Sequence, residues 1–239
     1  MTSIGIDIQP LVSIVLCTYN RAHCLAHAID SLLCQSLTQW ELLIVDDGSK
    51  DHTFAVANPY VEQHAHIRYC KHKNKGLGHA KNAGIQASVG RYVTFLDSDD
   101  TYDSTHLASR LEYMLAHPDV DLIQGGFYSE EDIDVVDYYH PGRLISLNEC
   151  VLGPTFFGKR EVFFELQGFR QIPYGEDTEF WERAEQRFKT HKLTDPKTYI
   201  YTRAESSITK DLATSLFGSI AATANSVVNA AAHDGMVRQ

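Results

Sequence analysis

GRYVTFLDSDD, residues 90–100, is the stretch on which the fold turns. Arg91–Leu96 (RYVTFL) reads as a hydrophobic strand, and Val12–Thr18 (VSIVLCT), with no polar alternation, shows the pattern of a strand buried on both faces. The Arg91–Leu96 run ends abruptly in Asp97-Ser98-Asp99-Asp100. Strands covered on both faces belong to parallel sheets, and in such sheets ligands collect at the carboxyl ends. An acidic cluster at that end is therefore a topological marker as well as a chemical one.

The same pattern recurs outward from it. Val12–Thr18 (VSIVLCT) is a β-branched apolar run closed by Tyr19-Asn20-Arg21, and Glu41–Asp46 (ELLIVD) is closed by Asp47-Gly48-Ser49. Ile67–Cys70 reads as a third short strand. Between them, Ala22–Gln35 sets Leu25, Ile29, Leu32 and Leu33 at helical spacing, and Leu77–Ser88 reads as helix. A weaker helix holding Phe54 and Val56 is expected to stop before Pro59. Thr105–His117 places Leu107, Leu111, Met114 and Leu115 on one face. Strand and helix alternate through Pro118, which implies a parallel sheet with helices on both faces.

Beyond Pro118 the pattern is mixed. Asp121–Tyr128 and Ile133–Tyr139 read as strands around an acidic turn, Gly153–Gly158 as a loop or short strand, and Glu161–Leu166 as a helical turn. Glu176–Lys189 is a helix with Phe180, Trp181, Ala184 and Phe188 along one stripe, and Lys197–Tyr201 a last strand. Without a linker or internal repeat, the second half extends the same domain. The expected class is α/β: a Rossmann-like, mainly parallel sheet with a mixed C-terminal extension.

Composition narrows the function. At 44% hydrophobic and 22% charged, the 239-residue chain is globular rather than disordered. Its net charge of −10 argues against a nucleic-acid partner, because a phosphate polymer needs a basic footprint. Small anions remain admissible where a metal or a local Lys or Arg intervenes. Five cysteines, with no C-x-x-C spacing, suit reduced thiols in a cytoplasmic protein, and MTSIGIDIQP lacks the features of a signal peptide. Leu212–Ala232 is uncharged and long enough to span a bilayer, yet Thr214, Ser215, Ser219, Thr223, Asn225, Ser226 and Asn229 make it only weakly apolar. It is expected to be a packing tail, with peripheral membrane or dimer contact as the alternative. Neither G-x-G-x-x-G nor G-K-[ST] occurs, which disfavours a dehydrogenase or a P-loop NTPase.

Asp97 and Asp99 are separated by one residue, so on an extended chain both carboxylates can approach one cation. Magnesium or manganese, completed by phosphate oxygens and water, is the usual chemistry of such a pair. The plain alternative is a solvated turn capping the next helix. Asp177 could likewise merely complement a helix macrodipole, Asp46 and Asp47 could be turn residues, and Tyr19 and Trp181 packing. His64, His66 and His72 are expected at the surface.

Taken together, VSIVLCTYNR (12–21), ELLIVDDGSKD (41–51), NKGLGHAKNAGI (74–85), GRYVTFLDSDD (90–100) and YGEDTEFWERA (174–184) resemble, in order, the motifs of the family-two nucleotide-sugar glycosyltransferases, inverting enzymes of the GT-A fold. The likeness covers roughly residues 10–205. It implies a nucleotide-sugar site formed by Thr18, Tyr19, Asn20, Arg21, Asp47, Gly78, Lys81, Asp97, Ser98 and Arg203. Tyr19 would stack on the base, Asp47 would accept from the uracil N–H, and Lys81 would lie near the diphosphate. Asp99, with Asp97, would hold Mn²⁺ or Mg²⁺. Asp177, beside Glu176, would be the catalytic base. The resemblance further implies a UDP-sugar donor and a hydroxyl acceptor of polysaccharide, lipopolysaccharide or glycolipid type. A cytoplasmic location would follow, extending to the inner face of the membrane, with a homodimer left open.

On this reading 1–10 is a tail, 11–118 the donor half, 119–210 the acceptor and catalytic half, and 211–239 a helical tail. One departure is plain: where relatives carry a histidine near the end of the motif set, residues 199–209 (YIYTRAESSIT) have none. The alternatives are a sugar-nucleotide transferase, for which Leu11–Arg21 lacks a Gly-rich basic loop, and a silent nucleotide-sugar-binding module.

Overall fold

Val12–Thr18 (β1) and Trp40–Asp46 (β2) are buried at every position, as strands with apolar side chains on both faces must be. The structure, a computed structural model, describes residues 9–202. Helix α1 (Leu25–Leu33) joins β1 to β2, and α2 (Thr53–Gln63) leads to β3 (Ile67–Lys71). Helix α3 (Leu77–Ala87) precedes β4 (Tyr92–Asp97); a short β5 (Thr101–Tyr102) and α4 (His106–Ala116) follow.

Alternation along the strands divides the core into two layers. Val12, Ile14, Leu16, Leu42 and Ile44 pack on one face with Leu25, Ile29 and Leu32 of α1, Ala57 of α2, and Leu107 and Met114 of α4. Val15, Cys17, Leu43 and Val45 face the other way, against Ala80 and Ile85 of α3. That second layer continues into α5 (Arg160–Glu165) and α6 (Glu176–Glu185) through Phe163, Phe180 and Trp181, so Trp181 is core.

The large sheet is completed by β6 (Leu122–Gly125), β10 (Phe157–Lys159) and β11 (Thr190–Leu193), in the order β3-β2-β1-β4-β10-β6-β11. Only β10 runs against its neighbours. β1 pairs in parallel with both β2 and β4, so the chain reverses its direction of travel across the sheet between β1 and β4. Such a switch opens a crevice beyond the strands' carboxyl ends, and here Thr18 and Asp97 border it.

The structure departs from the sequence pattern in several places, among them the following. Helix α2 runs through Pro59 to Gln63. Val56, Tyr60 and Val61 pack against the core and Tyr60 bonds Asp30 at 2.8 Å, so tertiary contact outweighs the lost backbone bond. Asp121–Tyr128 splits at Gly125-Gly126, where φ is +95° and +67°, into β6 and β7 (Phe127–Tyr128). β7 pairs with β12 (Tyr199–Ile200) in a second small sheet with β5. Lastly, α6 stops at Glu185 rather than running to Lys189.

The chain divides into two compact units, the first containing described residues 9–130 and 151–202, and the second, within the described range, residues 131–150. In the latter, β8 (Asp134–Val136) and β9 (Leu144–Ser146) form an antiparallel pair. All five cysteines are free thiols. Among the described residues no helix is long and apolar enough to cross a membrane. Leu212–Ala232 lies outside them.

Candidate active site

The loops leaving β1 and β2 are knitted to each other. Asn20 sits in the left-handed region (φ 54°), which its short polar side chain tolerates. Its N–H donates to Ser49 Oγ (2.8 Å), and its Oδ1 accepts from the Lys50 N–H (2.8 Å). Asp46 accepts from the Ser49 N–H (2.6 Å) and the Tyr69 hydroxyl (2.5 Å), which makes it a structural carboxylate. Asp47 accepts the N–H groups of Lys75 and Gly76, both at 2.8 Å, one on each oxygen. It thereby sets where α3 begins. His72 approaches Asp47 at 3.3 Å, whereas His66 packs edge-on against Trp40. Among the described residues the buried Thr18 hydroxyl has no hydrogen-bond partner, and Tyr19 is 44% exposed beside it.

Helix α3 carries Lys81 inward. Lys81 is buried, donates to Glu176 Oε1 at 2.9 Å and lies 4.8 Å above the Phe169 ring. Next to Glu176 at the start of α6, Asp177 accepts from the Gly153 N–H (3.0 Å) and its neighbour's Thr178 N–H (2.8 Å). A Cβ on Gly153 would stand 2.8 Å from Asp177 Cβ and 3.3 Å from Lys81 Nζ, so a glycine is what lets this turn close over both. Gly78 serves packing: a Cβ there would meet Gln171 and Arg170 at 3.1 and 3.2 Å.

The acidic turn after β4 is held by Asp100, not by the pair expected to meet a ligand. Asp100 is buried and accepts the Tyr199 hydroxyl (2.5 Å) and the Thr202 N–H (2.7 Å). The same hydroxyl accepts the Asp97 N–H at 3.4 Å. Ser98 is buried, and Asp99 lies 4.0 Å from the Arg21 guanidinium. Tyr199 was not singled out by any sequence pattern, and nothing local could have done so.

The electrostatics follow from this crowding. Burial raises the Asp97 carboxyl to about 7; Lys81 opposes the rise while Asp99, Glu176 and Asp177 add to it. Asp99 is raised by burial against the pull of Arg21, and Asp177 by burial and then Glu176. Burial also pushes Glu176 up, but the Lys81 ammonium outweighs it and the net shift is downward. Lys81 itself is held above its ordinary value, since Glu176, Asp97 and Asp177 outweigh its desolvation. More carboxylate charge than ammonium charge converges here, and a hard divalent cation would relieve the excess. Among the described residues no three His, Cys, Asp or Glu side chains are grouped to hold a metal. A cation at Asp97 and Asp99 would therefore complete its shell from phosphate oxygens and water.

Lys81, Glu176, Asp177 and Asp97 thus come together, with Asp99 and Arg21 at the same acidic turn; Arg203 lies outside the described residues. A switch-point crevice rimmed by acids defines a ligand-binding α/β fold of the nucleotide-binding type. The chain belongs to glycosyl transferase family 2, whose profile matches residues 13–194. The uncharacterized glycosyltransferase EpsJ of Bacillus subtilis is 30% identical over 84% of this chain and 63% of its own length. The putative teichuronic acid biosynthesis glycosyltransferase TuaG of the same organism is 37% identical over 45% of this chain and 43% of its own. Among solved structures, Staphylococcus aureus TarS 1–349 in complex with UDP-GlcNAc superimposes with a TM-score of 0.71 at 21% identity, over 83% of this chain and 60% of that one. The mannosyltransferase PcManGT of Pyrobaculum calidifontis, with GDP-Man and Mn²⁺, gives 0.66 at 20% identity over 84% and 59%. These likenesses establish the GT-A fold. The chain spans less than two thirds of each of these four proteins.

Proposed function

We propose that the chain is a metal-dependent inverting glycosyltransferase that moves a sugar from a nucleotide-sugar, by preference a UDP-sugar, to a hydroxyl acceptor. The observation that carries this reading is the convergence of Asp177, gripped by Gly153, with Lys81, Glu176 and Asp97 at the switch point. Family membership and the TarS complex with UDP-GlcNAc support a nucleotide-sugar donor. The Mn²⁺ in the PcManGT complex supports a divalent ion.

The residues divide the work. The Thr18 hydroxyl, unpartnered among the described residues, and the exposed Tyr19 ring offer a polar contact and a stacking face to a base, and Asp97 and Ser98 would meet the ribose side. Asp97 and Asp99 would hold Mn²⁺ or Mg²⁺, which when bound supplies charge stabilisation for the departing diphosphate. Asp177 takes the proton of the attacking acceptor hydroxyl, help worth about 10²–10⁴-fold. A single base serving an in-line displacement gives inversion at the anomeric carbon. The Gly153 and Thr178 N–H groups hold Asp177 in place, while Lys81, paired with Glu176, offsets part of the carboxylate charge around it.

In this scheme residues 11–118 form the donor half and 119–210 the acceptor half, flanked by tails 1–10 and 211–239. The acceptor belongs to polysaccharide, lipopolysaccharide or glycolipid synthesis. The reaction would take place in the cytoplasm or at the inner membrane face, where the C-terminal tail could touch lipid or a second copy.

The test is a thermal-shift screen of UDP-, GDP-, CMP- and dTDP-sugars with and without Mn²⁺, on wild type and Asp99→Ala. A ligand at about 100 times its Kd stabilises by about 2.7 kcal/mol. For a chain of this size that amounts to a rise of roughly 5–10 °C. A Mn²⁺-dependent rise with one nucleotide class, lost in D99A, is expected; no rise with any nucleotide defeats the donor site.

A further inference from the structure

The charge of the chain is unevenly written. No Asp or Glu occurs between Glu62 and Asp97, yet Arg68, Lys71, Lys73, Lys75, Lys81 and Arg91 all fall there, in a protein of net charge −10. Three of these six are spoken for or remote from the crevice. Arg68 pairs with Glu41 (2.6 Å) at the amino ends of β3 and β2, Lys81 is buried on Glu176, and Arg91 precedes β4 at its amino end. Lys71, Lys73 and Lys75 lie on the segment that leaves the carboxyl end of β3, all exposed.

That segment is rigidly seated. Asp47 takes the N–H groups of Lys75 and Gly76, and a Cβ on Gly48 would meet Asn74 N at 2.7 Å, so the loop lies directly on the turn after β2. Lys71 Nζ donates to Ser49 O at 2.6 Å, next to the exposed Lys50. The acids nearby are already engaged. Asp46 takes the Ser49 N–H and the Tyr69 hydroxyl and lies 3.8 Å from Lys71 Nζ, Asp47 takes two backbone N–H groups, and Asp51 is held by Ala22 and Thr53. Lys73 and Lys75 have no ion-pair partner among the described residues.

We infer that Lys50, Lys73 and Lys75 form an electropositive rim that draws an anionic nucleoside diphosphate sugar from solution toward the crevice. The inference rests on the donor reading above. A nucleotide bearing two negative charges is repelled by the chain's net charge, and screening at about 8 Å in physiological salt leaves only the nearest charges to act on the final approach. Fixed charges beside a cleft of this kind raise association rates more than they tighten the bound state.

The experiment is stopped-flow binding of fluorescently labelled UDP and GDP, with Mn²⁺, to the full chain. Wild type is compared with K73A/K75A and with R91E, which changes the net charge by the same two units at the opposite end of β4. Association with K73A/K75A should be about three- to ten-fold slower at low salt, with dissociation unchanged and the gap closing near 0.5 M salt, whereas R91E should match wild type. Equal association in K73A/K75A, faster dissociation instead, or equal slowing in R91E overturns the rim. So does charge-dependent retention on anionic vesicles with nucleotide association unaltered, which would assign the lysines to a lipid surface. If wild type binds neither nucleotide, the donor reading falls first and the rim with it.

Discussion

Replacing Lys81 by methionine tests the centre of the proposed site. Methionine keeps nearly the same length over the Phe169 ring while removing the ammonium that meets Glu176 at 2.9 Å. Glu176 is then a largely buried carboxylate without its partner, with Asp97 and Asp177 close by. Taking away one member of a buried pair costs about 3–5 kcal/mol. For a chain of this size that is a fall in Tm of roughly 6–20 °C at pH 8. The pH dependence distinguishes this cause from simple misfit. In wild type, Glu176 is held below its ordinary value, so its contribution is present above pH 4.5 and is lost as pH falls through its folded value. In K81M the same carboxyl is raised by burial and by its acidic neighbours. Its penalty is full at high pH and is relieved on acidification. The Tm gap between variant and wild type should therefore narrow from pH 8 to pH 5, read by scanning calorimetry, and K81R should recover much of the loss. A gap under about 2 °C at pH 8, or one that widens on acidification, refutes the charge argument.

Two further outcomes follow from the same geometry. Asp177→Asn should lower kcat by about 10²–10⁴-fold while nucleotide Kd stays within about two-fold, measured by product formation and calorimetry; a matching loss of nucleotide binding would remove the base assignment. Tyr199→Phe strips the hydroxyl that Asp100 accepts at 2.5 Å and should cost about 1–3 kcal/mol together with weaker Mn²⁺ binding. Unchanged melting and unchanged metal titration would show that the turn holds itself.

What could be read in advance was local. β1 and β4 were legible because burial on both faces leaves a largely apolar run, interrupted within the strands only by Ser13 and Thr94, and Asp47 and Asp97 because they close or follow such runs. Pro59 misled, since the packing of Tyr60 and Val61 that keeps α2 intact is a tertiary fact. The partner of Lys81 lies 95 residues away and that of Asp100 lies 99 away, distances at which no spacing rule operates. Sequence could therefore name both residues but place Lys81 only by resemblance. It gave no reason to choose Tyr199 among the tyrosines around it.

β3 has a second consequence as the outermost strand of the large sheet. Among the described residues its outer side pairs with no strand, the kind of border on which another chain can continue the pleat. Arg68 and Lys71 stand near the two ends of that five-residue border, both exposed. A second copy laid alongside in matching register would bring cation against cation at each end. Among the described residues, the strand thus carries its own deterrent to edge-to-edge growth, a border marked by charge.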